Sequence, residues 1–293
     1  DTYFLTVGAT DRGPGSGIAP RIQDTQNRWF PEMRPRPDID RLTRAYLKAT
    51  RKVGMEIFAS FRMNDIHDSW AEKLTYPLKV KRPDVLIGKD YLPAGYPHSL
   101  EGEQGGSPYR YPSSAMRAFW SSLDYGKKEV RQHFLDFILS YCRHYDYDGV
   151  ELEFGRHAMF FKFGEIEENI ETMTQFVREV RKGLNAIARD RGKSYLLTAR
   201  VPDSPKMALS IGLDVQQWLE EGLLDMLIVG FGYMCDSSRI KSFIDLAHRQ
   251  NIPAYVSITD VFEPIKMRSW ASNFYALGAD GVYIYNWGDP SAK

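Results

Sequence analysis

The strongest constraint on the fold is an alternation that runs along most of the chain. Short β-type apolar runs take turns with longer stretches whose apolar residues recur three and four apart. The β-type runs fall at 3–7, 55–62, 118–123, 149–154, 195–201, 226–231, 254–258 and 281–287. Between them lie helical series such as Leu42, Tyr46, Ala49, Val53, then Val130, Phe134, Phe137, Tyr141, then Ile166, Ile170, Met173, Val177, Val180, Leu184. Weaker helical series occupy 215–221, 239–250 and 265–277. The later runs start roughly 28 to 45 residues apart, the repeat of a βα unit. Eight such units predict an α/β fold, a (β/α)8 TIM barrel spanning 1–293 as a single domain. The stretch 64–114 reads as a long insertion after the second strand, lying over the C-terminal mouth. It carries six prolines together with Tyr76, Tyr91, Tyr96, Tyr109 and Tyr111. A last helix is expected after Trp287, but the sequence stops at Lys293, so that helix reads as missing, either truncated or supplied by segments outside 1–293.

Composition removes several classes of function. Lys+Arg and Asp+Glu are both 38, giving zero formal charge, so there is no basic excess to neutralise a phosphate backbone and no nucleic acid is expected as partner. No apolar run approaches the ~20 residues of a membrane span, so no membrane partner is expected either. An open doubly wound sheet would share the alternation, but no strand run is followed by GxGxxG. Gly13-Pro14-Gly15-Ser16-Gly17 lacks the Lys of a phosphate loop and reads as a turn-rich loop. Cys142 and Cys235 form no CxxC pair, and there is neither HxH nor HExxH, so no cofactor and no metal are expected. The barrel would place Cys142 at the bottom and Cys235 at the top, too far apart for a disulfide.

Strand alternation locates the chemistry, because inward barrel positions turn polar toward the mouth. The inward rows Phe58, Ser60, Arg62, Asn64; Glu151, Glu153; Thr198, Arg200; and Tyr283, Tyr285, Trp287 all do so. They predict one mouth lined by Arg62, Asn64, Glu153, Arg200, Tyr285 and Trp287. Two inward acids on one strand repel and need cationic neighbours or a raised pKa. Glu151, one layer deeper, reads as part of a buried ion-pair network, and Glu153, at the rim, as catalytic.

The run Asp148-Gly149-Val150-Glu151-Leu152-Glu153-Phe154, with Arg156 after it, resembles the family-10-like and related barrel glycoside hydrolases of bacterial polysaccharide-degrading systems. Leu123-Asp124-Tyr125, Glu129-Val130-Arg131, Arg36-Pro37-Asp38 and the helix through Phe176-Val177-Arg178-Glu179 are similar to the same group, so the likeness runs from about 36 to 290. It implies cleavage of a poly- or oligosaccharide, an extracellular or periplasmic place of action, and a catalytic role for Glu153. Chitinase-like barrels carry DGxDxDxE on this strand with the last acid as proton donor; here that position is Gly155, which argues against their mechanism.

Glycosidic cleavage normally uses two carboxyl groups. Asp260, directly after inward Thr259, is the expected partner of Glu153, with Asp203, Asp236 and Glu263 in reserve. His67, Arg156, His157 and Tyr233 lie near predicted strand ends and are expected to contact sugar with the mouth residues. The arginines at the mouth suggest an anionic sugar, since Arg clamps acidic groups bidentately. Two rivals stand beside the hydrolase: a non-catalytic carbohydrate-binding barrel that has lost its second carboxylate, and a lyase using Tyr or His as base.

Overall fold

The computed structural model of the chain describes residues 2–6, 37–69, 77–88, 119–230, 236–259 and 263–285. They hold seven strands: β1 (Thr2–Thr6), β2 (Glu56–Arg62), β3 (Gly149–Glu153), β4 (Leu196–Val201), β5 (Met226–Val229), β6 (Ala254–Thr259) and β7 (Gly281–Tyr285). All pair in parallel and in chain order to form one curled sheet. The helices are α1 (Pro37–Lys52), α2 (Pro77–Lys81), α3 (Lys128–His144), α4 (Ile170–Arg191), α5 (Pro205–Leu209), α6 (Val215–Glu220), α7 (Ser237–Arg249) and α8 (Pro264–Ala276).

The outer face of the sheet is where the core lies. Val150, Leu152, Leu197, Ala199 and Val201 are all fully buried, as are Met173, Val177, Val180 and Leu184 on one stripe of α4. Phe134, Phe137 and Tyr141 on α3 continue that core, and Trp218 of α6 donates to Thr174 Oγ1 of α4 at 3.0 Å. The stop of α4 follows from its sequence: Gly192 takes φ 66°, the left-handed turn that a residue without Cβ adopts cheaply.

The described residues hold seven strands rather than the eight expected, because the run at 118–123 is not one. Residues 119–121 form a 3-10 turn, and Leu123 makes only an isolated antiparallel bridge to Leu86. The strand ladder passes it by: β2 pairs directly with β3. What replaces the ladder is the backbone of 85–88, through Asp124 N–H to the Val85 carbonyl (2.9 Å), Ile87 N–H to the Ser122 carbonyl (2.8 Å) and Gly88 N–H to the Trp120 carbonyl (3.0 Å), together with one side chain. Asn64 Oδ1 accepts the Leu123 N–H at 2.9 Å, and Asn64 Nδ2 donates to the carbonyls of Leu123 (3.0 Å) and Met159 (2.7 Å). Ser121, fully buried, is held by hydrogen bonds with Asp68 and Ser69. Apolar periodicity does not distinguish such a clamped turn from a short buried strand. Replacing Asn64 by Ala strands three buried backbone groups, and we expect a loss of about 2–4 kcal/mol in urea-induced unfolding.

Pairing between β7 and β1 is absent among the described residues, so they form an open seven-stranded sheet. Of the predicted insertion, 77–88 is described; the rest of it beyond Ser69 lies outside the described residues, as do Tyr233, Cys235, Asp260 and Trp287. Cys142 is buried and free. No described helix is long and apolar enough to cross a membrane.

Candidate active site

Strand register brings the site together. Arg62 of β2 lies beside Glu153 of β3, which lies beside Arg200 of β4; one layer below, Ser60, Glu151 and Thr198 form a matching row. β3 enters between its neighbours because Gly149 has no side chain: a Cβ there would stand 2.5 Å from the Phe58 ring. Asp148, the first acid of the motif, anchors the lower end by accepting the Ile57 N–H at 2.9 Å. Curling of the sheet then sets β7 opposite β3. Tyr283 reaches across to Glu151 Oε2 at 3.5 Å, the outer limit of a hydrogen bond, and the Arg200 guanidinium lies 4.1 Å from the centre of the Tyr285 ring.

Each carboxylate has a different environment. Glu153 Oε1 receives Arg200 Nη1 at 2.9 Å, with both side chains almost wholly buried. Its Oε2 stands 3.8 Å from Arg62 Nε, while the other end of Arg62 is bound to Asp65 Oδ2 at 2.7 Å. Arg200 Nη2 also points to Ser257 Oγ at 3.5 Å, where Gly230 (φ 143°) lets β5 and β6 approach closely. Among the described residues Glu151 has no arginine in ion-pair contact. Burial, helped by the charge of Glu153, pushes its pKa up to about 7 against the pull of Ser60, Arg200 and Tyr283. Glu151 thus lies within the field of Arg200, the charge that also holds Glu153, and adds the hydroxyls of Ser60 and Tyr283 as neighbours.

Gly155 clarifies how the site differs from the DGxDxDxE pattern. A Cβ at 155 would stand 2.9 Å from Glu153 Oε1 and 3.0 Å from Arg200 Nη1, so the arginine occupies the room a side chain would need. Adding only that methyl, as Gly155→Ala, should push Arg200 off Glu153. We expect kcat/KM to fall about tenfold or more with a smaller loss of stability, as steady-state kinetics beside thermal unfolding would show.

The site brings together Arg62, Glu153, Arg200 and Tyr285 of the predicted mouth. Asn64 is spent on backbone groups, as described above. Arg156 and His157 are half-buried just after β3 with contacts of their own. The side chain of His67, in a 3-10 turn, lies outside the described residues. Asp203 is buried and holds Arg239 at 2.8 Å and the Asp236 N–H at 3.2 Å. Asp236 caps α7, and Glu263 is an exposed partner of Lys266 at 2.7 Å. Sequence reasoning missed the parts played by Asp65, Ser257 and Tyr283. Tyr283 was visible as an inward tyrosine, but the acid it faces depends on curvature that no local pattern encodes. Among the described residues no three His, Cys, Asp or Glu converge as a metal centre would require.

A parallel α/β sheet carrying two carboxyl groups and two arginines on its concave face, at the C-terminal strand ends, has the frame of a barrel glycoside hydrolase. The Glycosyl hydrolases family 18 profile matches residues 106–252, just over half of the chain, and the chain belongs to that family. This corrects the family-10-like resemblance drawn from the sequence. No curated protein matches the chain. Among solved structures, it is similar to a family 18 chitinase from Cycas revoluta solved with (GlcNAc)4, at 13% identity and TM-score 0.45, covering 88% of this chain and 68% of that one. A chitinase from Bacillus thuringiensis gives 13% identity and TM-score 0.38 over 76% of this chain and 30% of that one. A family 18 N-acetylglucosaminidase from Paenibacillus barengoltzii gives 13% and 0.40 over 73% and 54%. The chain thus spans less than two thirds of the latter two.

Proposed function

We propose that the chain hydrolyses a glycosidic bond of an oligo- or polysaccharide, with Glu153 as base and Glu151 as source of the leaving-group proton. The observation that carries this reading is the pair on β3: a carboxylate fixed by Arg200 at the rim, and beneath it an acid whose pKa stands at about 7. Titratable neighbours driven into different protonation states are how a site divides acid from base work. Positions two apart on a strand are about 6.6 Å apart along it, close enough to act on one bond.

In the proposed reaction Glu153 takes a proton from a water whose oxygen bonds to the anomeric carbon. As the bond from that carbon to the departing oxygen breaks, the oxygen receives a proton from the Tyr283 hydroxyl, which is refilled from Glu151. Solvent exchange then returns the proton from Glu153 to Glu151. Arg200 keeps Glu153 oriented throughout, with its guanidinium over the Tyr285 ring.

A second reading, a barrel that binds glycan without cutting it, is favoured by Gly155 and by the arginine filling its place. Incubating the purified chain with neutral and acidic oligosaccharides and following reducing ends separates the readings. Cleavage into saturated products supports hydrolysis, binding without cleavage supports the second reading, and an unsaturated product indicates a lyase.

A further inference from the structure

We infer that Lys79 is a positioning residue of the reaction, its buried ammonium fixing Asp65, through which Arg62 is held at Glu153. This rests on the reading of Glu153 as the base. Lys79 lies on α2, the five-residue helix of the insertion after β2, and its burial runs against packing: Lys79 is 3% exposed while Val80 beside it is 68% exposed. Apolar packing alone would reverse the two. Taking an ammonium out of water is costly unless partners meet it, and here they do. Lys79 Nζ donates to Asp68 Oδ1 at 2.9 Å and to the Asp65 carbonyl at 2.7 Å. Burial pulls its pKa below the ordinary lysine value, against the charges of Asp68 and Asp65.

From there a row of buried charges leads to the site. Asp65 is gripped at both ends, its carbonyl by Lys79 and its Oδ2 by Arg62 Nη1 at 2.7 Å. Arg62 Nε then stands 3.8 Å from Glu153 Oε2, and Glu153 Oε1 accepts from Arg200 Nη1 at 2.9 Å. Asp68, Lys79, Asp65, Arg62, Glu153 and Arg200 thus alternate in sign. In a low-dielectric interior such a row is coupled, and withdrawing one charge shifts the balance of the next. Without Lys79 the Asp65 carbonyl loses its donor and the turn from 65 to 68 its tie to α2, so Asp65 lets Arg62 move onto Glu153. A second guanidinium in direct contact makes Glu153 a poorer base. Lys79 is itself sealed from solvent and touches no sugar, so its loss lowers kcat and leaves KM nearly unchanged.

The test is kcat and KM on an oligosaccharide that the unaltered chain cleaves, for Lys79→Met, Asp65→Asn and the double variant, with circular dichroism to show the retained fold. We expect Lys79→Met to lose about tenfold in kcat with KM within about twofold. Because Lys79 acts through Asp65, the double variant should be slower than the slower single one by no more than about twofold. Losses that multiply, or undiminished kcat in Lys79→Met, overturn the inference. Should Lys79→Met not fold, Asp68→Asn keeps the lysine and withdraws its charge partner. A loss of about fivefold in kcat is then expected, absorbed in the same way by Asp65→Asn, and full kcat overturns the inference. Glu153→Gln, run alongside, separates the two claims. Full activity in it sinks the reading of Glu153 as base, whereas a fully active Lys79→Met beside an inactive Glu153→Gln sinks only the role of Lys79. An unaltered chain that cleaves no oligosaccharide overturns both.

Discussion

Glu153→Gln is expected to abolish turnover, by on the order of a thousandfold or more, while leaving the fold intact. Gln keeps the shape and still accepts from Arg200 Nη1, so the contact now at 2.9 Å survives as a neutral one. It cannot take a proton from water, and general base catalysis alone contributes about 10²–10⁴-fold. There is a second consequence. The charge of Glu153 is one of the two causes that raise the pKa of Glu151, so the variant should bring Glu151 down toward the usual carboxylate range. Reducing-end assays would show the lost turnover, and an unchanged circular dichroism spectrum would show the retained fold. Full activity in this variant would remove Glu153 from the mechanism.

Glu151→Gln should cost a comparable factor in turnover and at the same time make the protein more stable in alkali. The sign follows from the raised pKa. Folding lifts this carboxyl from 4.5 to about 7, so the folded chain holds the proton more tightly than the unfolded one. The stabilisation is fully present below pH 4.5, falls away between 4.5 and 7, and is absent above. Its size is on the order of 3 kcal/mol, from about 1.4 kcal/mol per unit. Gln never ionises and escapes that loss. Thermal unfolding at pH 5 and pH 8 should show the unaltered chain losing stability across the interval and the variant losing much less. Parallel loss in both proteins would mean that Glu151 is not the group titrating there.

Much of the frame was legible because it depends on local pattern. Seven of the eight predicted strand runs are strands, and the inward row of β3 was visible from Val150, Leu152 and Phe154 alternating with its two acids. The run at 118–123 failed because its backbone partners are the side chain of Asn64 and the backbone of 86–88, contacts from distant segments and not from the parallel sheet. At the site, register alone puts Arg62, Glu153 and Arg200 abreast. Which arginine serves which acid was not legible: Arg62 turns toward Asp65, three residues along, rather than pairing closely with Glu153. Nor was the contact of Tyr283 with Glu151, which exists only because four strands of twist and curl bring β7 across from β3. Gly155 shows the converse case. The missing acid was plain in the sequence, while Arg200 standing in its place was visible only in three dimensions.

The proposed chemistry turns on the proton held by Glu151, and the pH dependence of kcat/KM on a cleaved oligosaccharide reports on that proton. We expect an alkaline limb with a midpoint near pH 7, where Glu151 ionises, and the disappearance of that limb from the residual activity of Glu151→Gln. A rate that stays level from pH 6 to 9, or a Glu151→Gln variant with undiminished kcat/KM, would contradict it.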